Sequence, residues 1–293
     1  MLRFSMLVCC LLAFAGTALA DTRPISRAPV TSPTTLAENP SLETDVFPDQ
    51  ALLKAIVTKT LEAKHAEAFV LADEYIQKNK NHPCAHFVLG LVHESQIEPQ
   101  IPEPYLGPAI DAFEKSGQME KSTVDLPWSM CRGASLMRLA RIYYKYGKTV
   151  LGVRRGIAGG RELERVAVLA GNKPEYADVY AFIGPYHYFT DRAPAAAKLV
   201  MRMFGLKGDR QLGLNELNAA WKQAPVFRYE AGHILAFAKM SYENKKDDAI
   251  DIVAILRKTF PDNIIFQRLE DKAYARAGVR NVADEKLSGD AGR

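Results

Sequence analysis

Three of the six histidines fall close together, and their spacing is the first feature that could carry chemistry. His82, His86 and His93 are separated by four and seven residues, so on a helix they share one face, with Cys84 and Glu94 beside them. Imidazoles placed in this way can hold zinc or copper. Two observations compete with that reading. His82 directly precedes Pro83 and falls at a helix start, and His93 takes a position usually given to packing. The pattern is also not H-E-x-x-H. Capping and packing are therefore expected of the three, with a metal-binding protein or metal-dependent enzyme as the alternative.

Glycine and arginine supply a second cluster. Gly147-Lys148-Thr149 ends like a phosphate-binding loop, but that loop needs a glycine where Ile142 stands. Gly152, Gly156, Gly159 and Gly160 do not spell G-x-G-x-x-G. A milder anion site remains open: Gly159-Gly160 could begin a helix at Arg161 whose free amides, with Arg154 and Arg155, accept an anion. Against it, the same glycines would let two helices approach closely. No G-x-S-x-G is present, and neither Cys84 nor Cys131 has a catalytic setting, so no catalytic residue and no cofactor is assigned. The chain is expected not to be an enzyme.

The elements that would position these residues are helical. The first twenty residues, with Arg3, an apolar run and Ala18-Leu19-Ala20 before Asp21, describe a secretory signal peptide. Val8 before Cys9 makes a poor lipoprotein box. Export would leave Cys84 and Cys131 as the two mature thiols in an oxidising environment, free to pair or to remain two small buried residues. Residues 21–48 hold five prolines and eight Ser or Thr and are expected to form a flexible linker. The polar segment 279–293 is expected to fray. Between them, residues 49–278 read at helical period almost throughout. Thirty-eight basic against 34 acidic residues give a net charge of +4, read as spread along the chain without the dense basic stripe of a nucleic-acid binder. The fold class is all-α.

The helices come in pairs with repeating packing positions. Ala249-x3-Val253-x2-Leu256-x4-Pro261 and Gly213-x3-Leu217-x2-Ala220-x4-Pro225 share one frame, with the prolines thirty-six residues apart. Leu89-Gly90 and Ala109-x3-Phe113 match parts of it. On these residues the chain resembles a tetratricopeptide-repeat (TPR) protein. Residues 130–270 are similar to bacterial exported repeat proteins distantly related to the eukaryotic TPR family linked to inclusion-body clearance. That likeness is carried by Tyr180 to Phe189, by Gly205-Leu206-Lys207-Gly208-Asp209-Arg210-Gln211-Leu212-Gly213-Leu214, by Glu230 to Ala236, and by Phe260-Pro261-Asp262-Asn263.

The resemblance implies a right-handed α-solenoid of stacked helical hairpins whose concave side binds a protein or peptide. First helices of TPR pairs face inward, which nominates Arg138, Arg141 and Lys145 on one helix and Arg228, His233 and Lys239 on another as groove residues. Residues 185–208 are expected to interrupt the repeat as a loop, with Tyr186, His187 and Tyr188 wedging it into the stack. Within it, 193–208 could lie on a membrane surface, or be an ordinary amphipathic helix. The expected function is an exported, non-catalytic scaffold for a protein or peptide partner in the cell envelope, periplasmic if the source is Gram-negative. A periplasmic helper subunit of a solute transporter, with a ligand cleft, is the other alternative.

Overall fold

Capping side chains and prolines set the element boundaries. The computed structural model describes residues 45–97, 104–193, 195–203 and 207–277. The expected signal peptide, linker residues 21–44 and the tail 279–293 lie outside the described residues. Among the described residues the chain is helical with no strand, which is the expected all-α class. The helices are α1 (Gln50–Leu61), α2 (His65–Lys78), α3 (Pro83–Ser95), α4 (Leu106–Gln118), α5 (Leu126–Lys145) and α6 (Thr149–Ala170). They continue as α7 (Asp178–Asp191), α8 (Ala195–Met203), α9 (Arg210–Gln223), α10 (Arg228–Ser241), α11 (Lys246–Thr259) and α12 (Ile264–Ala277). A short 3-10 turn, Pro174–Tyr176, precedes α7.

Side-chain oxygens satisfy the open amides at several helix starts. Asp125 accepts from the Trp128 amide at 3.0 Å to begin α5, and Asp209 accepts from Leu212 at 2.9 Å to begin α9. The α5–α6 turn closes on Gly147, whose φ of 78° favours glycine. There the Lys148 amide donates to the Tyr143 carbonyl and the Gly147 amide to that of Tyr144, the paired bonds of a Schellman stop.

Each helix packs on its successor, with α9 taking the place of α8 against α7. A second series joins α1, α3, α5, α7, α10 and α12, each to the next. Phenylalanine rings then tie together elements that are distant in the chain. Phe227, just before α10, lies 4.8 Å from Phe182 on α7, 5.8 Å from Phe87 on α3 and 6.3 Å from Phe47 before α1. Asn263, at the start of α12, donates to the Leu61 carbonyl at the end of α1 across 202 residues of sequence. Cys84 and Cys131 are joined by a disulfide that links the first turn of α3 to the second turn of α5, with Cα atoms 5.0 Å apart.

Three expectations change. The linker reading fails at its end: Val46 and Phe47 are buried, and Tyr75 donates to the Pro48 carbonyl at 2.7 Å. Residues 185–191 are not loop. Pro185 stands inside α7, and Tyr186, His187 and Tyr188 are buried helical residues. Gly159-Gly160 opens no helix either, because α6 runs through both. A Cβ at Gly159 would come within 2.8 Å of the Gly133 carbonyl, so the glycine serves the contact of α6 with α5.

Gly213 makes an equally tight crossing, where an added Cβ would lie 2.5 Å from the Tyr188 amide nitrogen. Gly213→Ala is expected to lower stability by about 1–3 kcal/mol or more, because backbone must move. Gly107→Ala, where a Cβ meets nothing within 4 Å, is expected to be neutral or to stabilise by up to about 1 kcal/mol. Thermal unfolding followed by circular dichroism distinguishes the two outcomes.

Candidate functional site

The expected groove begins at Arg138 and Arg141 on α5. Both reach Glu94, at the end of α3, at 3.0 and 2.7 Å, and Arg138 also pairs with Glu230 in the first turn of α10. Burial opposes charge on Glu94, but the Arg141 and Arg138 guanidiniums outweigh it and hold the carboxyl below its usual range. Burial pushes Arg138 down to about 10, against the pull of Glu94. Arg138 thus spends its guanidinium on a bond between α3, α5 and α10. Removing one partner would strand a buried charge, so Arg138 is a fastening rather than a clamp for ligand.

The other groove nominations also have partners. Lys145 lies 6.0 Å from the Tyr146 ring, and Lys239 pairs with Asp248 at 3.0 Å. Arg228 lies over the rings of Trp221 and Tyr229, and His233 contacts Phe266. Arg155 binds Glu114, while Arg154 and Arg161 stand on the exposed face of α6. The expected anion site is therefore not assembled.

The three histidines occupy different surroundings. His82 caps α3, its Nδ1 accepting from the Cys84 amide at 3.2 Å, and its ring packs on Trp128. His86 is buried, and His93 lies 4.8 Å from Phe69. Burial lowers all three, His82 to about 4. Among the described residues no group of three or more His, Cys, Asp or Glu is arranged to hold a metal.

The segments on which the expected likeness rests hold helices together. Asp209 caps α9, and its amide donates to the His187 carbonyl at 3.1 Å. Arg210 binds Glu243 at the end of α10, and the Tyr188 hydroxyl donates to the same carboxylate at 2.6 Å. His187 Nδ1 lies 2.6 Å from the buried Glu216 and its Nε2 3.6 Å from Glu164. Burial alone would lower this imidazole, but Glu164 and Glu216 raise it to about 9. Asp178 accepts from the Val226 and Phe227 amides at 3.2 and 2.7 Å, and burial pushes its carboxyl up to about 7.

Surface chemistry collects where α7 and α10 end. Exposed Phe189 and Tyr242 lie 6.2 Å apart, with the Arg192 guanidinium 4.6 Å from the Tyr242 ring centre. Beside them a cleft of about 260 Å³ is lined by Thr190, Asp191, Lys198, Met201, Arg202 and Lys207. α8 turns Leu199 outward, 64% exposed, while Met201 packs toward the core and Lys198 binds Asp191 at 3.1 Å. Of the two readings for 193–208, the inward Met201 fits the amphipathic helix. Phe204 lies outside the described residues. No described helix is long and apolar enough to cross a membrane.

Sequence reading missed one charge feature. Residues 126–161 contain eight Lys or Arg and no Asp or Glu, so the basic charge is not evenly spread. The signal is a gap in acidic residues rather than a run of basic ones. Compared with known proteins, no family model matches the chain, and no curated protein or solved structure matches it either.

His187 sets a pH dependence. Its folded value, about 9, exceeds the ordinary imidazole value of 6.5, so its stabilisation is full below about pH 6.5 and lost as pH rises through about 9. The thermal midpoint is expected to fall over that window, and His187→Gln to flatten the fall. Asp178, also raised, acts earlier: its contribution is lost between about pH 4 and 7. Asp178→Ala strands two buried amides and is expected to cost about 1–3 kcal/mol, more than Asp178→Asn. Urea titrations at several pH values measure both.

Proposed function

We propose that the chain is an exported, TPR-like right-handed α-solenoid acting as a non-catalytic scaffold for a protein or peptide partner in the cell envelope. The observation that carries this reading is the double series of helix contacts. Successive helices pair, and α1, α3, α5, α7, α10 and α12 also touch in turn, as stacked hairpins require. The Cys84–Cys131 disulfide supports a compartment outside the cytoplasm, the periplasm if the source is Gram-negative. Preformed helices present side chains without further ordering, which lowers the entropy lost on binding.

The partner face favoured here is not the inner row of Arg138 and Arg141, whose charges are matched by Glu94 and Glu230. It is the end of α7 and α10, where Phe189, Tyr242 and Arg192 are grouped. Aromatic and arginine side chains are the commonest anchors of protein interfaces. The neighbouring cleft favours a second reading, the transporter helper subunit, with Lys198, Arg202 and Lys207 receiving a small anionic solute.

A photo-crosslinking residue at position 189 or 242 tests the scaffold reading in cells. A discrete protein adduct, lost when Arg192→Glu is added, is the expected result; no adduct at either position overturns the partner face. Small carboxylates that raise the thermal midpoint of wild-type protein, but not of Lys198→Ala/Arg202→Ala, would favour the solute reading instead. For export, residues 1–20 fused to alkaline phosphatase should yield active enzyme.

A further inference from the structure

The acid-free stretch 126–161 has an exposed tip. It is the α5–α6 turn, where Tyr144, Tyr146, Val150 and Leu151 are 51, 45, 38 and 42% exposed. Four of the twelve large hydrophobic side chains exposed among the described residues thus fall within eight consecutive positions. Lys145 and Lys148 are exposed among them and Arg154 just beyond, and Arg141, about one helical turn below, keeps a side chain 60% exposed while bonded to Glu94. Lys148 Nζ lies 5.7 Å from the Tyr143 ring centre, so its stem covers aromatic surface and its charge faces water.

The acidic groups near the tip come from other helices. Glu94 is bound by Arg138 and Arg141, and Glu114 by Arg155 and the Tyr143 hydroxyl. Asp111 on α4 also acts on Tyr143. These pairings draw on the arginines of the helix bodies, while Lys148 and Arg154 stand exposed beside the turn. The Schellman stop at Gly147 fixes the turn, so its side chains are presented without further ordering.

We propose that this tip docks the protein on an anionic lipid surface, with Tyr146, Val150 and Leu151 entering the headgroup layer and Lys148 and Arg154 meeting lipid phosphates. Tyrosine is suited to the membrane–water interface, and flanking Lys and Arg bring attraction to anionic headgroups. A projecting turn of mixed apolar and basic side chains fits a soft planar surface better than a protein, which would need to offer a pocket around it. The site is separate from α8, and the inference does not depend on the scaffold reading. A protein that binds vesicles but gives no cross-link at 189 or 242 keeps the one and loses the other.

The test is flotation of the purified chain with vesicles of phosphatidylglycerol and phosphatidylcholine, against phosphatidylcholine alone. Binding to the anionic vesicles only, weakened by salt, is expected. Each cation removed should weaken it roughly fivefold, so Lys148→Ala/Arg154→Ala loses about twenty-five-fold. Leu151→Asp should abolish binding, and Leu199→Asp on α8 should leave it unchanged. Tyr146→Trp, a mild change at an exposed position, supplies a second readout: the fluorescence of the introduced indole should shift to the blue with anionic vesicles. The proposal is overturned if the Lys148→Ala/Arg154→Ala variant floats like wild type, if Leu199→Asp is the change that abolishes binding, or if the fluorescence of the Tyr146→Trp variant does not move. It is overturned too if the tip ignores vesicles and binds a soluble acidic polypeptide.

Discussion

Phe227 stands where four separate parts of the chain must agree. Its ring meets Phe47 from before α1, Phe87 from α3 and Phe182 from α7, while its own amide is held by the buried Asp178. A stack of helical pairs needs contacts only between neighbours, and each pair could then tilt without consulting the rest. These rings remove that freedom. With the Asn263–Leu61 bond, they bring the beginning and end of the described chain into one packed core. The close crossings of α5 with α6 and α7 with α9 follow from the same demand, because the pairs must lie tightly to reach a common centre.

Buried charge is handled consistently within that core. Glu94, Glu216 and Asp178 each have a guanidinium, an imidazole or backbone amides in reach. An ionised group without such a partner would cost several kcal/mol in the interior. The arrangement consumes side chains that look functional in a linear reading, and moves the accessible chemistry to helix ends and turns: Phe189 with Tyr242 at one place, Tyr144 to Leu151 at another.

Helix positions are legible in the sequence because they depend on local signals. Pro83 marks a start that the structure reproduces, and three- and four-residue spacing marks the buried faces. The failures share a cause: each depends on what a distant segment supplies. Pro185 reads as a helix breaker, yet packing keeps α7 intact around it. Gly159-Gly160 resembles a helix start because sequence does not show that Gly133 lies opposite. Arg138 looks like a groove residue because Glu94 and Glu230, 44 residues before and 92 after it, are not visible as partners. The pairing of Cys84 with Cys131 stays open in the sequence for the same reason.

The bond between Asn263 and Leu61 has a consequence in time. A chain made from its N terminus produces α1 early and Phe227 and Asn263 about 170 and 200 residues later. At ordinary synthesis rates of roughly 5–20 residues per second, α1 waits about ten seconds or longer for the surfaces that cover it. Its apolar face, Leu53, Ile56 and Val57, has α2 and α3 to pack on during that interval, but neither Phe227 nor Asn263 to complete its cover. The first helix of the described residues is thus among the last to be fully enclosed, and completion of its cover is a report that residue 263 has arrived.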